Sequence, residues 1–243
     1  TLQQSSAASD VYKRQELCLT KKKMKTITQN LQKLKSSLEN KPQINIVVVT
    51  KTRSPEEIQE AIAAGATSIG ENRVQEAEQK FSKIQNIEKT EKRLIGRLQS
   101  NKAKKAVKIF DTIDSVDSLK LSQKISKAAE DLGKTQRVLL QINSSGENTK
   151  AGFSLNSKKE ILECINMSGI KVEGLMTMGP NTQEVDLIAK SFQKTKKLFD
   201  ELNELENVKM KTLSMGMSGD YLIAVREGST SIRVGTAIFG PRV

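Results

Sequence analysis

The spacing of apolar residues predicts a helix near the start of the folded chain and a buried strand soon after it. Four apolar residues recur at intervals of three and four, which places them on one face of a helix. They are Ile27, Leu31, Leu34 and Leu38. The pattern stops at Pro42, because proline disrupts a helix interior. Ile44–Val49 is then a nearly continuous apolar run, typical of a strand buried on both faces, as in a parallel sheet.

From there, strand and helix patterns alternate to the end of the chain. A helix is predicted to begin at Ser54, because serine is a preferred cap, Pro55 suits the first position and two acids follow it. Further short strands are predicted at Ser68–Ile69, Arg93–Ile95, Asp111–Ile113, Val138–Ile142, Val172–Met176, Lys211–Ser214 and Ser231–Val234. Helices are predicted between them, around residues 73–83, 100–107, 117–132, 157–168, 184–204 and 219–227.

Eight strands joined by helices predict a parallel sheet, and eight such units in this length fit a single α/β domain, a small (β/α)₈ TIM barrel. The barrel is expected to span residues 24–243, with the first helix as an N-terminal addition. An open, doubly wound sheet is the alternative. It is disfavoured because no G-x-G-x-x-G fingerprint follows the first strand and no Walker loop occurs in the sequence.

Residues 1–23 do not share this pattern and are expected to be disordered or non-native, with Met24 as the native start. The basic triplet Lys21–Lys23 is followed by no apolar segment, so it does not predict a secretory signal. No apolar run is long enough for a membrane span. Two cysteines, Cys18 and Cys164, form no disulfide or zinc pattern, which favours a cytoplasmic protein.

Composition narrows the chemistry further. The chain contains no histidine, which excludes histidine bases and histidine metal sites and leaves no metal centre to predict. Of the net charge of +12, a surplus of three lies in residues 1–23. The remaining +9 is spread over lysine-rich helical stretches such as 102–108 and 194–197, typical of solvated helix faces. Weak, salt-sensitive adhesion to polyanions follows from the charge. Specific nucleic-acid binding is disfavoured because only 3% of the residues are aromatic.

In a (β/α)₈ barrel, functional groups come from the loops at the carboxyl ends of the strands. Lys51 lies two residues beyond the first strand, where apolar walls and nearby cations would lower its proton affinity and make it nucleophilic toward an aldehyde. A solvated loop lysine is the alternative interpretation of this residue.

The last two loops are rich in small residues at the place where such barrels often bind phosphate. Ser218 follows the seventh strand, and Gly235 and Thr236 follow the eighth, so backbone N–H groups and a hydroxyl could approach an anion. Ordinary turns would use the same residues. Arg233, within the eighth strand, is predicted either to pair with a carboxylate at the rim or to face a ligand in the mouth.

Six segments then carry a family resemblance, in the same order as in the family. They are Val49–Thr52, Ile69–Glu76, Ile95–Lys102, Gly174–Gly179, Leu213–Asp220 and Gly228–Gly240. Together they closely resemble the pyridoxal phosphate homeostasis proteins, which are single-domain relatives of the alanine racemase barrel domain. The resemblance covers residues 24–243.

The resemblance implies that pyridoxal 5′-phosphate is held as a Schiff base on Lys51. It implies that Ser218, Gly235 and Thr236 bind the phosphate and that Arg233 faces the pyridine nitrogen. Asn72 would contact the ring, and Met176 and Ser214 would line its pocket. One position departs from the family, which has Gly-His-Leu-Gln in the third segment where this chain has Arg97. The role of Arg97 is left open.

The resemblance also implies a role in vitamin B6 homeostasis without substantial catalysis. The sequence offers little for a racemase that needs two acid–base groups, because it has no histidine and few tyrosines. Racemases of this fold use a tyrosine and an additional domain, whereas here the sequence ends just after the eighth unit and has only Tyr12 and Tyr221. A weak pyridoxal-phosphate-dependent racemase or lyase is the alternative. Apoenzymes that need the cofactor are expected partners, and the chain is expected to be a monomer.

Overall fold

Eight parallel strands pair in sequence order, and the eighth also pairs with the first, so the sheet closes into a barrel. The computed structural model describes residues 26–39, 43–147 and 150–241. Closure confirms the predicted (β/α)₈ barrel and excludes the open, doubly wound sheet. The stretch 1–23, which the sequence sets apart from the barrel, lies outside the described residues.

The strands are short and each is followed by a helix, as the alternating pattern predicts. They are β1 Asn45–Val49, β2 Ser68–Glu71, β3 Glu91–Leu94, β4 Thr112–Val116, β5 Gln136–Ile142, β6 Ile170–Thr177, β7 Thr212–Met217 and β8 Ser231–Val234. The helices are α1 (26–36), α2 Pro55–Ala63, α3 Val74–Phe81, α4 Ala103–Ile109, α5 Leu119–Glu130, α6 Lys158–Ile165, α7 Val185–Asn203, α8 Tyr221–Arg226 and α9 Thr236–Phe239. Short 3₁₀ turns occur at Ile87–Lys89 and Ser100–Lys102.

Helix α1 packs on the outside of the barrel through the apolar face that its spacing predicts. The four residues of that face, Ile27, Leu31, Leu34 and Leu38, are all buried. Polar contacts fix the helix against α2 and α9, because Asn30 donates to the Ile238 carbonyl at 2.9 Å and Thr28 donates to Glu60. The N-terminal helix is therefore an integral layer of the fold.

The segment between β1 and α2 is ordered by a capping box, which matters because it also contains Lys51. The Ser54 hydroxyl accepts from the Glu57 N–H at 3.3 Å, and the Glu57 carboxylate accepts from the Ser54 N–H at 2.9 Å. Pro55 occupies the first turn, as predicted. The cap of this helix is thus fixed only three residues beyond Lys51.

The interior of the barrel is partly charged, which the apolar patterning does not predict. Arg93 on β3 forms a two-pronged contact with Asp114 on β4, with Nε–Oδ distances of 3.2 and 3.0 Å. Both side chains are buried, and Arg93 also contacts Glu91 at 2.9 Å. These two carboxylates raise the pKa of Arg93 despite the opposing effect of burial, so the guanidinium stays charged inside the barrel.

Two features near the carboxyl end of the chain differ from the sequence prediction. Strand β7 continues to Met217 instead of ending at Ser214, and its register with β8 shifts between these residues, as at a bulge. The four-residue helix α9 follows β8 directly and was not predicted. Both features shape the barrel mouth. Within the described ranges, no helix is long and apolar enough to cross a membrane.

Candidate functional site

A pocket of about 220 Å³ opens at the carboxyl ends of β7, β8 and β1. Because β1 pairs with β8, residues from the two ends of the chain meet at this edge of the barrel. The pocket is lined by Val49, Lys51, Arg53, Met217, Ser218, Gly219, Arg233, Gly235 and Thr236. Five of the predicted site residues are in this lining: Lys51, Ser218, Arg233, Gly235 and Thr236.

One wall of the pocket presents polar groups that suit an anion. Ser218 Oγ accepts from the backbone N–H of Gly235 at 3.3 Å and from that of Ala237 at 3.4 Å. The loop after β7 and the start of α9 therefore converge on one hydroxyl. A phosphate oxygen can be bound by such a set, because hydroxyl and amide donors approach it from different elements.

Gly235 is needed where the two loops meet. A Cβ atom at this position would lie 3.2 Å from both the Cβ atom and the carbonyl oxygen of Val49. The missing side chain lets the backbone after β8 lie directly against the end of β1. The distance between the Lys51 loop and the N–H groups is thus set by close packing of backbone.

A second glycine shapes the bulge near the end of β7. Gly216 has a φ of +93°, and a Cβ atom there would lie 2.6 Å from Cβ of Ala224. Directly after it, the Met217 N–H donates to Asp220 Oδ1 at 2.5 Å. Glycine is the residue that adopts this backbone conformation without strain. The sharp turn brings Ser218 over the end of β8.

Arg233 is a buried cation in the floor of the pocket. Its Nη1 donates to the hydroxyl and the carbonyl of Ser214 at 2.6 and 2.9 Å, and its Nη2 donates to the Thr177 carbonyl at 2.7 Å. Burial lowers the pKa of Arg233 to about 10, while Asp114 and Asp220 oppose the shift. The guanidinium is therefore still charged at neutral pH, and its position is fixed by three acceptors.

Two other predicted residues, Ser214 and Met176, lie deeper in the barrel wall. They are partners in the register of β6 and β7, and both are buried. Neither residue is in the lining of the pocket. Ser214 contacts Arg233, which is part of that lining. The structure thus places Ser214 in contact with a residue of the site and Met176 beside Ser214.

Asn72 does not lie in the same pocket. It lines a neighbouring depression of about 750 Å³ between the loops after β2 and β3, together with Arg73, Arg97 and Lys102. A Cβ atom at Gly96 would lie 2.4 Å from the Asn72 carbonyl oxygen, so the third loop packs directly on this backbone. Arg97 is 81% exposed, with its Nε 3.8 Å from Asp117.

Arg53 is a pocket residue that the sequence interpretation missed. It is buried, donates to the Gly240 carbonyl at 2.8 Å and lies 5.2 Å from the ring centroid of Phe239. It thereby fastens α9 to the loop after β1. Nothing in the local sequence pattern marks it, because Arg53 lies beyond the end of β1 in a turn where its N–H donates to the Thr50 carbonyl at 3.0 Å.

Comparisons with known proteins identify the family to which the chain is similar. Residues 23–243 match the family described as the alanine racemase N-terminal domain. A pyridoxal phosphate homeostasis protein of Aquifex aeolicus is 39% identical over 194 residues, which are 79% of this chain and 85% of the relative. The solved structure of PipY from Synechococcus elongatus, with PLP bound, has 34% identity and a TM-score of 0.81, and the match covers 88% of this chain and all of that one.

A more distant likeness concerns the fold alone. Alanine racemase of Clostridium difficile is 22% identical with a TM-score of 0.78, and the match covers 90% of this chain but only 57% of the racemase. The barrel is thus shared with an enzyme that has a large additional part.

Proposed function

Because the chain belongs to the pyridoxal phosphate homeostasis protein family, built on the alanine racemase N-terminal domain, we propose that it holds pyridoxal 5′-phosphate at the barrel mouth and serves in vitamin B6 homeostasis without substantial catalysis. The observation that carries this proposal is that Lys51 lines the same pocket as the wall formed by Ser218 and Gly235. A primary amine and an anion-binding wall in one pocket suit a small molecule that has an aldehyde and a phosphate.

The residues fit the cofactor in three ways. When bound, pyridoxal phosphate supplies an aldehyde, which condenses with an amine by forming a carbon–nitrogen bond and releasing water. Lys51 is the amine, provided by the loop after β1. Ser218, Gly235 and Thr236 hold the phosphate with a hydroxyl and backbone N–H groups, since Ser218 already bridges the two loops. Arg53 adds a positive charge to the same pocket.

Arg233 limits the chemistry that this site performs. Its guanidinium remains protonated and can only donate hydrogen bonds, so a pyridine nitrogen facing it is an acceptor and stays unprotonated. An unprotonated pyridine is a weak electron sink for carbanions. Arg233 therefore favours a role in which the cofactor is held rather than used.

The pocket also lacks a second acid–base group. Among the residues that the structure describes, its lining includes Lys51, Arg53 and Arg233 but no tyrosine, cysteine or carboxylate. A racemase needs proton donors and acceptors on two faces of the substrate. The competing proposal, a weak racemase or lyase, is tested by loss of deuterium from Cα of labelled amino acids incubated with the loaded protein. Washout at a catalytic rate would support the enzyme and contradict the carrier.

The cofactor and its anchor are tested together by spectroscopy and peptide mapping. The purified protein is mixed with pyridoxal phosphate, its visible absorbance is recorded, and the bond is fixed with borohydride before digestion. The label is expected on the peptide that contains Lys51. The Lys51→Ala variant should keep the fold and lose the absorbance band, whereas Lys159→Ala, at an exposed lysine, should keep both. A label that stays at full level in Lys51→Ala contradicts the assignment.

A further inference from the structure

The backbone beside Lys51 has an unusual conformation. Thr52 has a φ of +63°, in the left-handed region, where a β-branched side chain is strongly disfavoured. Asn86 is the other described residue besides glycine with a positive φ, and asparagine tolerates that region far better. A strained conformation of this kind persists only where surrounding contacts fix it, and such strain is frequent at functional sites.

Three hydrogen bonds fix the two threonines that flank Lys51. The Thr52 N–H donates to Glu76 Oε1 at 2.6 Å. The Thr50 hydroxyl donates to Glu71 Oε1 at 2.7 Å. The Thr50 carbonyl accepts from Lys80 Nζ at 2.9 Å. Both sides of Lys51 are therefore bound to side chains from β2 and α3.

The three side chains that make these bonds also bind one another. Lys80 Nζ lies 2.6 Å from Glu76 Oε1 and 3.1 Å from Glu71 Oε1. Glu76 and Lys80 are four residues apart on α3, so they face the same side of the helix. Glu71 is fully buried, and burial raises its pKa although Lys80 and Thr50 oppose the shift. None of the three is in the lining of the pocket that contains Lys51.

We propose that Glu71, Glu76 and Lys80 act as positioning residues that hold the amine of Lys51 in place for bonding to an aldehyde. The inference rests on the proposed function, since it concerns how Lys51 captures pyridoxal phosphate. The cluster acts on the peptide groups before and after Lys51, so it fixes the direction in which this side chain leaves the backbone. A displacement of about 1 Å of a reacting group can slow a reaction by about a hundredfold.

The contact of Glu76 with Thr52 offers the sharpest test. The rate of covalent capture is measured by stopped-flow absorbance after mixing cofactor-free protein with pyridoxal phosphate. Glu76→Ala removes the acceptor, and capture should slow by about tenfold or more. Glu76→Gln keeps an oxygen that can accept from the Thr52 N–H, and its rate should be within about threefold of wild type. Glu78→Ala is the matched control, because Glu78 lies on the same helix and pairs with Lys105.

A second readout separates positioning of Lys51 from a general change in the pocket. The affinity for 4′-deoxypyridoxine 5′-phosphate, which has the ring and the phosphate but no aldehyde, should be the same in wild type and in Glu76→Ala. Parallel loss of analogue affinity and capture rate would mean that the cluster shapes the pocket itself and would overturn the proposal. An unchanged capture rate in Glu76→Ala would overturn it as well.

Thr50 provides a variant that leaves α3 untouched. Thr50→Val removes the hydroxyl that donates to Glu71 but nearly preserves the side-chain shape, and Thr50→Ser restores the hydroxyl. We expect slow capture in the valine variant and recovery in the serine variant, even if Glu76→Ala does not fold. Equal rates in both would contradict the proposal. Failure of wild type itself to capture pyridoxal phosphate on Lys51 would instead reject the proposed function, so the two failures are distinguishable.

Discussion

The Ser214 hydroxyl accepts a hydrogen bond of 2.6 Å from Nη1 of Arg233, across the neighbouring strands β7 and β8. This contact connects the buried interior of the barrel to the floor of the pocket. Ser214 and Thr177 supply three oxygen acceptors that fix the position of Arg233, while Asp114 and Asp220 favour its charged form. The pocket therefore has a fixed hydrogen-bond donor at its base.

Removing this hydroxyl should cost stability. Ser214→Ala leaves Arg233 with two carbonyl acceptors, and we expect the free energy of unfolding to fall by about 1 to 3 kcal/mol, since the lost bond involves a charged group. Ser231→Ala is a close control, because Ser231 is the register partner of Ser214 on β8 and its hydroxyl is buried without a hydrogen-bond partner. Urea unfolding should show a much smaller effect there. Equal losses in the two variants would mean that the Arg233 contact contributes little.

The bridge made by Ser218 leads to a prediction about affinity. Ser218→Ala removes the hydroxyl that accepts from the Gly235 and Ala237 N–H groups and that would donate to a phosphate oxygen. We expect the Kd for pyridoxal phosphate to rise by about tenfold, the effect of roughly one hydrogen bond to a charged group. Calorimetric titration with inorganic phosphate should show a parallel loss, because the contact concerns the phosphate alone. Ser36→Ala, on an exposed face of α1, should leave both affinities unchanged.

Acid stability provides a test of the charged interior. Burial would raise the pKa of Glu91, but Arg93 and Arg137 outweigh it, and the pKa of Glu91 lies below its usual range. A carboxylate with a lowered folded pKa stabilises the fold above its unfolded pKa, about 4.3 for glutamate, and that stability is lost as the pH falls through the folded value. Wild type should therefore lose unfolding free energy below about pH 4.3.

The Glu91→Gln variant should show a shallower loss in the same window. It lacks the titrating group, so its stability near pH 6 is lower and the difference from wild type narrows as the pH falls. Urea midpoints measured at several values between pH 6 and pH 3 follow this difference, with Glu88→Gln at an exposed site as the control. A constant difference between Glu91→Gln and wild type across the range would contradict the ion-pair explanation.

Local signals in the sequence were sufficient for most of the architecture. The Ser54 cap, the Pro55 start and the apolar run at Ile44–Val49 each correspond to an observed boundary within one residue. Each of these signals depends on a few neighbouring residues along the chain, so it can be recognised from the sequence alone. The eight strands then imply a parallel sheet because each is followed by a helix.

Contacts across the barrel could not be predicted in the same way. The pairing of Arg93 with Asp114 depends on the register of β3 and β4. The sequence does not show which residues of two strands lie opposite each other, so this ion pair could not be predicted. The left-handed backbone of Thr52 was equally hidden, because threonine normally avoids that region. Lys51 and Ser218 were predicted at the barrel mouth because barrels concentrate function at the strand ends, and both line the pocket there. Asn72 was expected beside them and lies in the next depression.

The position of Arg97 permits a prediction about the departure from the family pattern. Arg97 is 81% exposed and contacts Asp117 at 3.8 Å, outside the lining of the Lys51 pocket. Arg97→His, which restores the family residue, should therefore change the affinity for pyridoxal phosphate by less than about twofold, as for surface substitutions in general.

Arg53→Met is the contrasting variant, because Arg53 lines the pocket and fastens α9 through Gly240. Its affinity should fall by about tenfold or more, since it loses a cation beside the phosphate wall. If Arg97→His alters affinity as much as Arg53→Met does, the loop after β3 must reach the cofactor, and the site would have to be extended to include it.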